Sequence, residues 1–236
     1  MTHEISPSLV LRGLTPPMAL ADFRIAAFDM DSTLISIECI DEIAAVAGKQ
    51  AEVAAITEAA MRGEITDFKD SLRRRLALLR GTPATALDTV LRERLRFNPG
   101  ARELCAALRR AGIKLVLVSG GFTFFTRHVA AELGMDWTRS NELEIVDGRL
   151  TGGLVMQPWG DICDGEQKRL MLLECSASLG IDAATQAIAV GDGANDLAMM
   201  GAAALSVAYH AKPRVREQAQ VAINEGGLDR LLEILH

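Results

Sequence analysis

A chain of 236 residues, 49% of them apolar, is long enough for one large α/β domain or a domain with a smaller insert, and it excludes wholesale disorder. Its net charge of −6 argues against nucleic acid as the main partner, so any anionic ligand must be held by local positive charge. The four cysteines (Cys39, Cys105, Cys163, Cys175) form no C-x-x-C pair and the four histidines lie far apart, which sets aside a zinc knuckle and a disulfide framework and suits free thiols in a reducing cytoplasm.

Residues 1–22 have neither a basic start nor a long apolar core, so they read as neither a secretory signal nor a membrane span. The expectation is an N-terminal extension that packs loosely on the main domain. Residues 24–29, "RIAAFD", are an apolar strand that runs into "DMDST". Residues 36–98 are far too many for one crossover. They keep helical spacing at Ile40, Ile43, Ala44 and Ala47, then at Phe68, Leu72, Leu76 and Leu79, then at Leu87, Val90, Leu91 and Leu95. Thr82-Pro83 has the form of an N-cap followed by proline at the first helical position. An all-helical insert beside a ligand crevice is a candidate lid.

A helix in "PGARELCAALRRAG" carries Leu104 and Leu108 four apart and stops at Gly112. It leads to a strand over 113–118, "IKLVLV", which runs into "SGGF". In "LEIVDGRLTGGLV", residues 143–155, Asp147-Gly148 between strand-like runs predicts a hairpin. A helix around 166–180, with Leu170, Leu173 and Cys175 before Gly180, precedes the strand 187–190, "AIAV", and the loop "GDGAND". Apolar strands of this kind between helices predict an α/β fold. The expected architecture is a doubly wound, mostly parallel, Rossmann-like sheet with a small helical cap inserted after the first strand. The expected division is an extension over 1–22, a catalytic core over 23–35 and 99–236, and a cap over 36–98.

In such sheets ligands sit beyond the carboxyl ends of the strands, where all three polar loops fall. Asp29 and Asp31 stand one residue apart at the end of a buried strand, where like charges repel. A divalent cation resolves that repulsion, because it favours the ionised form of a nearby carboxylate. The hard oxygens of Asp29 and Asp192, with no cysteine or histidine beside them, suit magnesium better than zinc. Ser119 with Gly120 and Gly121 offers a hydroxyl and open backbone N–H groups, which is phosphate-binding equipment. Lys168 can add a point charge. The expected ligand is a phosphoryl group.

With these residues in place, "DMDSTLI" resembles the D-x-D-x-T motif of the haloacid dehalogenase-like phosphotransferase superfamily. "SGG", the later Lys168 and "GDGAND" resemble its second, third and fourth motifs, in order. The resemblance covers nearly the whole chain after about residue 24. It implies that Asp29 is a nucleophile that forms an aspartyl-phosphate. Asp31 would be the general acid/base and would offer its backbone carbonyl to the metal. Ser119 and Lys168 would hold phosphoryl oxygens, Asp192 would be a magnesium ligand, and Asn195 and Asp196 would position phosphate and lysine. A second acid at position 31 implies a phosphatase, because an alkoxide leaving group needs a proton.

The insert is similar to that of the phosphoserine phosphatases within this superfamily. That family has a glutamate nine positions after the nucleophile, here Glu38, to receive an ammonium group. It also has a Met…Phe…S-L-R-x-R run, here "MRGEITDFKDSLRRR", which implicates Met61, Phe68 and Arg75, the last as a fork on the substrate carboxylate. The choice of Arg75 over Arg73 or Arg74 rests on the family pattern. The resemblance implies hydrolysis of O-phosphoserine in the cytoplasm, as the last step of serine biosynthesis, with no nucleic-acid or membrane partner. Three rivals stay open. An aspartyl-phosphate can be intercepted by an alcohol instead of water, or the substrate can be another small ester such as phosphohomoserine. "GDGANDLAMMG" begins like a dinucleotide loop but has Asp196 where a third glycine belongs. A receiver-like switch also carries acid pairs, on a shorter chain without the insert.

Overall fold

The computed structural model describes residues 2–61 and 64–236. Its strands, in chain order, are β1 (Thr2–Ser6), β2 (Leu9–Arg12), β3 (Ile25–Phe28), β4 (Lys114–Phe122), β5 (Trp137–Val146), β6 (Arg149–Val155), β7 (Ala187–Gly191), β8 (Leu205–Tyr209) and β9 (Val221–Ile223). They form a nine-stranded sheet in the order β1-β2-β9-β8-β7-β3-β4-β5-β6. The six strands from β9 to β5 are all parallel to their neighbours, and β1, β2 and β6 are antiparallel additions at the two edges. The chain starts the parallel sheet at β3, moves outward through β4 and β5, and returns to place β7 on the other side of β3. The switch point of this doubly wound sheet therefore lies at β3 and β7, and a crevice opens beyond their carboxyl ends.

The helices are α1 (Cys39–Val46), α2 (Gln50–Met61), α3 (Phe68–Leu78), α4 (Thr85–Thr89), α5 (Ala101–Arg110), α6 (Thr123–Leu133), α7 (Gly165–Ser178), α8 (Ala183–Gln186), α9 (Leu197–Gly201) and α10 (Pro213–Gln218). The central strands are buried on both faces because successive side chains point to opposite sides. One face carries Ala26, Phe28, Leu117, Ile188 and Val190, packed with Leu104 and Leu108 of α5 and Phe125 and Val129 of α6. The other carries the smaller Ala27, Ala187, Ala189 and Ala208, packed with Met171, Leu172 and Cys175 of α7 and Met199 of α9. That face also carries Ile25, Val116 and Val118, and α7 lies against it with the side chain of Lys168, in the first turn of α7, at the switch point.

Helices α1 to α4 and a π-helical turn over Val90–Arg94 lie between β3 and α5. The chain enters and leaves this insert side by side, through an antiparallel bridge between Ile35 and Phe97. Ser36 N–H donates to the Arg96 carbonyl at 2.9 Å, and Asn98 N–H donates to the Leu34 carbonyl at 2.9 Å. The insert shares one continuous apolar cluster with the sheet through Ile40, Ile43, Leu72, Leu76, Leu79, Leu87 and Val90. All four cysteines are buried free thiols. Among the described residues no helix is long and apolar enough to cross a membrane.

Two expectations are corrected. The N-terminal segment does not pack loosely: β2 pairs with β9, Leu9 opposite Ile223 and Leu11 opposite Val221, and both leucines are fully buried. Its alternating apolar residues complete the sheet edge, and Arg230 holds the hairpin turn through the Pro7 carbonyl at 2.6 Å. Thr82-Pro83 does not start a helix. Pro83 sits in a bridge with Arg149, and α4 follows Ala84 with no side-chain cap. On α7 the inward face is Lys168, Met171, Leu172, Cys175 and Ser176, while Leu170 and Leu173 are half-buried. The Asp147-Gly148 hairpin is present between β5 and β6, with both residues at positive φ (49° and 71°) as a two-residue turn requires.

Burial of β2 sets a measurable cost for truncating it. Leu11→Ala should destabilise the protein by about 2–5 kcal/mol in urea unfolding, the range for a buried leucine. A loss below about 0.5 kcal/mol, as on a loose surface segment, would contradict the pairing of β2 with β9.

Candidate active site

Asp29 follows β3 directly, and its N–H donates to the Val190 carbonyl of β7 at 3.0 Å. Its carboxylate Oδ1 accepts from Met30 N–H at 2.7 Å and pairs with Lys168 Nζ at 2.7 Å. Among the described residues Oδ2 has no protein partner of this kind and is the oxygen left for chemistry. Lys168 is fully buried and also pairs with Asp196 Oδ1 at 2.6 Å. Burial opposes the lysine charge, but Asp196 and Asp29 more than offset it and hold the ammonium form well above its usual range. Asp196 is itself fixed, because its Oδ2 accepts from the N–H groups of Asp192 (3.1 Å) and Gly193 (2.9 Å).

Asp29, Asp192 and Asp196 can each bring one carboxylate oxygen within 4.8 Å of the others. Burial and the facing carboxylates of Asp196 and Asp192 push the Asp29 carboxyl up. Burial, then Asp196, push Asp192 up to about 7. Such a group of hard oxygens is stabilised by a divalent cation. Asp196 is the poorest ligand of the three, since Lys168 and two N–H groups already occupy its oxygens. Asp29 and Asp192 remain as donors, and Thr33 Oγ1 orients the latter by donating to Oδ1 at 3.1 Å.

Asp31 has Oδ1 buried with no partner. Burial, then the nearby Glu38 carboxylate, push its carboxyl up to about 8. A carboxyl that keeps its proton near neutrality can give it away. Its Oδ2 lies beside Gly121, where a Cβ would sit only 2.9 Å away. Gly121 N–H donates to Ser119 Oγ at 2.9 Å, which leaves the serine hydroxyl hydrogen for a ligand. At Gly120 a Cβ would meet the Phe68 ring at 2.8 Å, so the glycine loop and the phenylalanine of α3 close on each other. Asn141 ties the same loop to residue 163, donating to the Gly120 carbonyl at 2.7 Å and accepting from Cys163 N–H at 2.8 Å.

The insert supplies the opposite wall. Glu38 precedes α1, and Arg75 lies on the half-buried side of α3. Burial lowers the Arg75 guanidinium from its usual range, against the attraction of Asp41, Glu38 and Asp31. Arg73 and Arg74 are exposed and already paired, with Asp161 and Asp70 respectively. Among the described residues Glu38 and Arg75 form no ion pair at contact distance. Asn195 is half-buried beside the acid cluster, and its Oδ1 turns back toward Gly193. Met61 ends α2, and its side chain lies outside the described residues.

The structure thus brings together Asp29, Asp31, Ser119, Gly120, Gly121, Lys168, Asp192, Asp196, Glu38, Phe68 and Arg75. Sequence reasoning missed Thr33, Asn98 and Asn141. Thr33 stands inside the D-x-D-x-T motif and had a visible signal. Asn98 donates from Nδ2 to the carbonyls of Ser32 (3.3 Å), Thr33 (2.8 Å) and Ile35 (3.1 Å), a role only the fold reveals.

A buried lysine between two aspartates, an acid with a raised pKa and a glycine-opened hydroxyl loop at a switch point define a phosphoryl-transfer hydrolase. The chain belongs to the haloacid dehalogenase-like hydrolases, whose family model matches residues 26–201. A phosphoserine phosphatase of Polaromonas sp. strain JS666 is 68% identical over 98% of each chain. The structure of a phospho-aspartyl intermediate analogue of phosphoserine phosphatase superposes with a TM-score of 0.82 at 35% identity, over 91% of this chain and 100% of that one. A substrate-bound phosphoserine phosphatase complex gives 0.82 at 34%, over 91% and 99%. Within its family the chain belongs with the phosphoserine phosphatases.

The raised Asp192 carboxyl makes stability depend on pH in the absence of metal. A raised acid binds more protons when folded than unfolded, so stability falls as pH rises. Between pH of about 4, the ordinary value, and about 7, the melting temperature in EDTA should fall by several degrees. Excess magnesium should flatten or reverse that slope in calorimetry. An equally steep fall with and without metal would show that the acid cluster does not hold the cation.

Proposed function

We propose that the chain hydrolyses O-phosphoserine to serine and phosphate through an aspartyl-phosphate on Asp29, with magnesium as its cofactor. The observation that supports this best is one anionic and one cationic side chain of the insert, Glu38 and Arg75, set near Asp31 and, among the described residues, without ion-pair partners of their own. Phosphoserine carries an ammonium, a carboxylate and a phosphate, and these groups complement Glu38, Arg75 and the strand-end site in turn. In this reading residues 36–98 are the cap over a core of 23–35 and 99–236, with Met61 and Phe68 among its substrate-facing residues. The four buried free thiols suit the cytoplasm. Release of serine suits the last step of its biosynthesis.

Asp29 Oδ2 attacks phosphorus, and the bond to the serine oxygen breaks as Asp31 gives that oxygen its proton. Ser119 Oγ–H, the Gly120 N–H, Lys168 and Asn195 hold the phosphoryl oxygens, while the Gly121 N–H fixes the Ser119 hydroxyl and its missing side chain keeps the loop open. Asp31, now ionised, takes a proton from water as the water oxygen attacks the aspartyl-phosphate, and Asp29 is returned. Asp29, Asp192 and the Asp31 carbonyl would hold the magnesium ion, which would supply positive charge against the phosphoryl oxygens. Phosphate monoesters require up to ~10²¹ in rate enhancement. A general acid gives only ~10²–10⁴. Most of the effect therefore falls to the charges and N–H donors around the phosphoryl group.

Phosphate release from phosphoserine, with and without acceptor alcohols, tests the reading. Asp29→Asn should abolish turnover and the covalent intermediate, and Asp31→Asn should lower kcat by about 10²–10⁴. Arg75→Ala should raise KM for phosphoserine by about 10–100-fold, the value of a charge-assisted carboxylate contact. It should do far less to phosphoethanolamine, which lacks the carboxylate. Equal losses on the two esters would remove Arg75 from carboxylate recognition.

A further inference from the structure

Ser32, between the two residues Asp31 and Thr33, has φ +57°, the left-handed region that glycine enters freely and serine does not. Its backbone is fixed at both ends. Its N–H donates to the Ile37 carbonyl at 3.1 Å, and its carbonyl accepts from Asn98 Nδ2 at 3.3 Å. The loop therefore imposes this conformation whatever the residue, and glycine would satisfy it with less strain. A side chain held in an unfavourable backbone at a site is a pointer to what that side chain does.

The Ser32 hydroxyl donates to Glu38 Oε1 at 2.7 Å. Glu38 occupies the N-cap position of α1 but makes no side-chain cap bond. Its carboxylate is not spent on the free N–H groups of its own helix, as an acid at that position ordinarily is. It is turned instead across the loop to Ser32. One oxygen is thereby anchored, and Oε2 is left for a cation.

We propose that Ser32 is a positioning residue for amine recognition, its left-handed backbone aiming the hydroxyl that holds Glu38 toward the substrate ammonium group. The inference rests on the phosphoserine reading of Glu38. It explains why a serine occupies a position whose backbone favours glycine. It also makes selection for an amino-acid ester depend on the nucleophile loop as well as on the cap. The residue that follows Asp31 in the chain sets the carboxylate that faces the amine.

The test compares O-phosphoserine with 3-phosphonooxypropanoate, the same ester without the ammonium group, for Ser32→Gly, Ser32→Ala, Ser32→Asn, Glu38→Gln and the double variant Ser32→Gly/Glu38→Gln. Ser32→Gly removes the hydroxyl and relaxes the backbone, so it should fold at least as stably as the parent. Its KM for phosphoserine should rise by about tenfold, the loss of one hydrogen bond to a charged group. Its kcat should change much less than its KM, and the effect on the analogue should be several times smaller. Ser32→Ala should match Ser32→Gly in this selectivity. Ser32→Asn, which tolerates the same backbone and restores a donor, should recover part of the loss. The double variant should discriminate no worse than Glu38→Gln alone. Equal losses on both substrates, or additive losses in the double variant, would overturn the proposal. If Glu38→Gln discriminates and Ser32→Gly does not, Ser32 is removed and the phosphoserine reading stands. If Glu38→Gln treats both substrates alike, the amine assignment falls and takes Ser32 with it.

Discussion

The architecture of the site depends on one buried ammonium group. Lys168 Nζ sits between Asp29 Oδ1 and Asp196 Oδ1 with no access to solvent. Desolvating a charge costs several kcal/mol per ion, and only close partners with their own hydrogen bonds offset it. Here each partner is tied to a different strand end, Asp29 to β3 and Asp196 to the loop after β7, while the lysine comes from α7. The triad therefore fixes three separate parts of the chain relative to one another. Removing one partner of such a group typically costs about 3–5 kcal/mol, because the remaining charge is left buried and uncompensated.

That one positive charge does not balance the acids around it. Asp29, Asp192 and Asp196 share a small volume, and Asp31 and Glu38 stand next to them. The raised pKa values of Asp29, Asp31 and Asp192 are the expression of this excess. A phosphate ester brings further negative charge, so a divalent cation is needed for substrate and acids to occupy the crevice together. The same excess falls on the paired acids in different surroundings: Asp29 is raised by burial and the facing Asp196 and Asp192 but is in direct contact with Lys168, whereas Asp31 is raised by burial and Glu38 and makes no such contact.

What was legible in the sequence follows from the range of each interaction. The strand-loop-helix units showed because the apolar run of β3 and the residues "DMDST" are adjacent in the chain. The helical insert showed because Leu72, Leu76 and Leu79 repeat at helical spacing within one segment. The place of the N-terminal hairpin did not show, since β2 pairs with β9, more than two hundred residues away in sequence. The burial of Lys168 in the inward stripe of α7 did not show for a different reason, because a lysine among apolar residues breaks the hydrophobic spacing that would mark the stripe. Asn98 was invisible for the first reason: its three acceptors lie some sixty residues earlier.

Those three bonds bear on how the insert and the core work as one unit. Asn98 stands where the chain leaves the insert, and the carbonyls it binds belong to the loop just after Asp29. The insert is therefore stapled at its root to the loop that carries Asp31, Ser32 and Thr33. From α3, Lys69 pairs with Asp161 at 2.9 Å and Asp164 at 3.5 Å. Asp164 is also the N-cap of α7, through Gln167 N–H at 3.0 Å. The position of α3, which bears Phe68 and Arg75, is thus linked to the helix that bears Lys168. These partners are half-buried, and they lie at the start of the helix that carries Lys168. The insert is therefore tied to the core at two places, through backbone and amide hydrogen bonds beside Asp31 and through ion pairs beside the first turn of α7, and both ties converge on the same crevice.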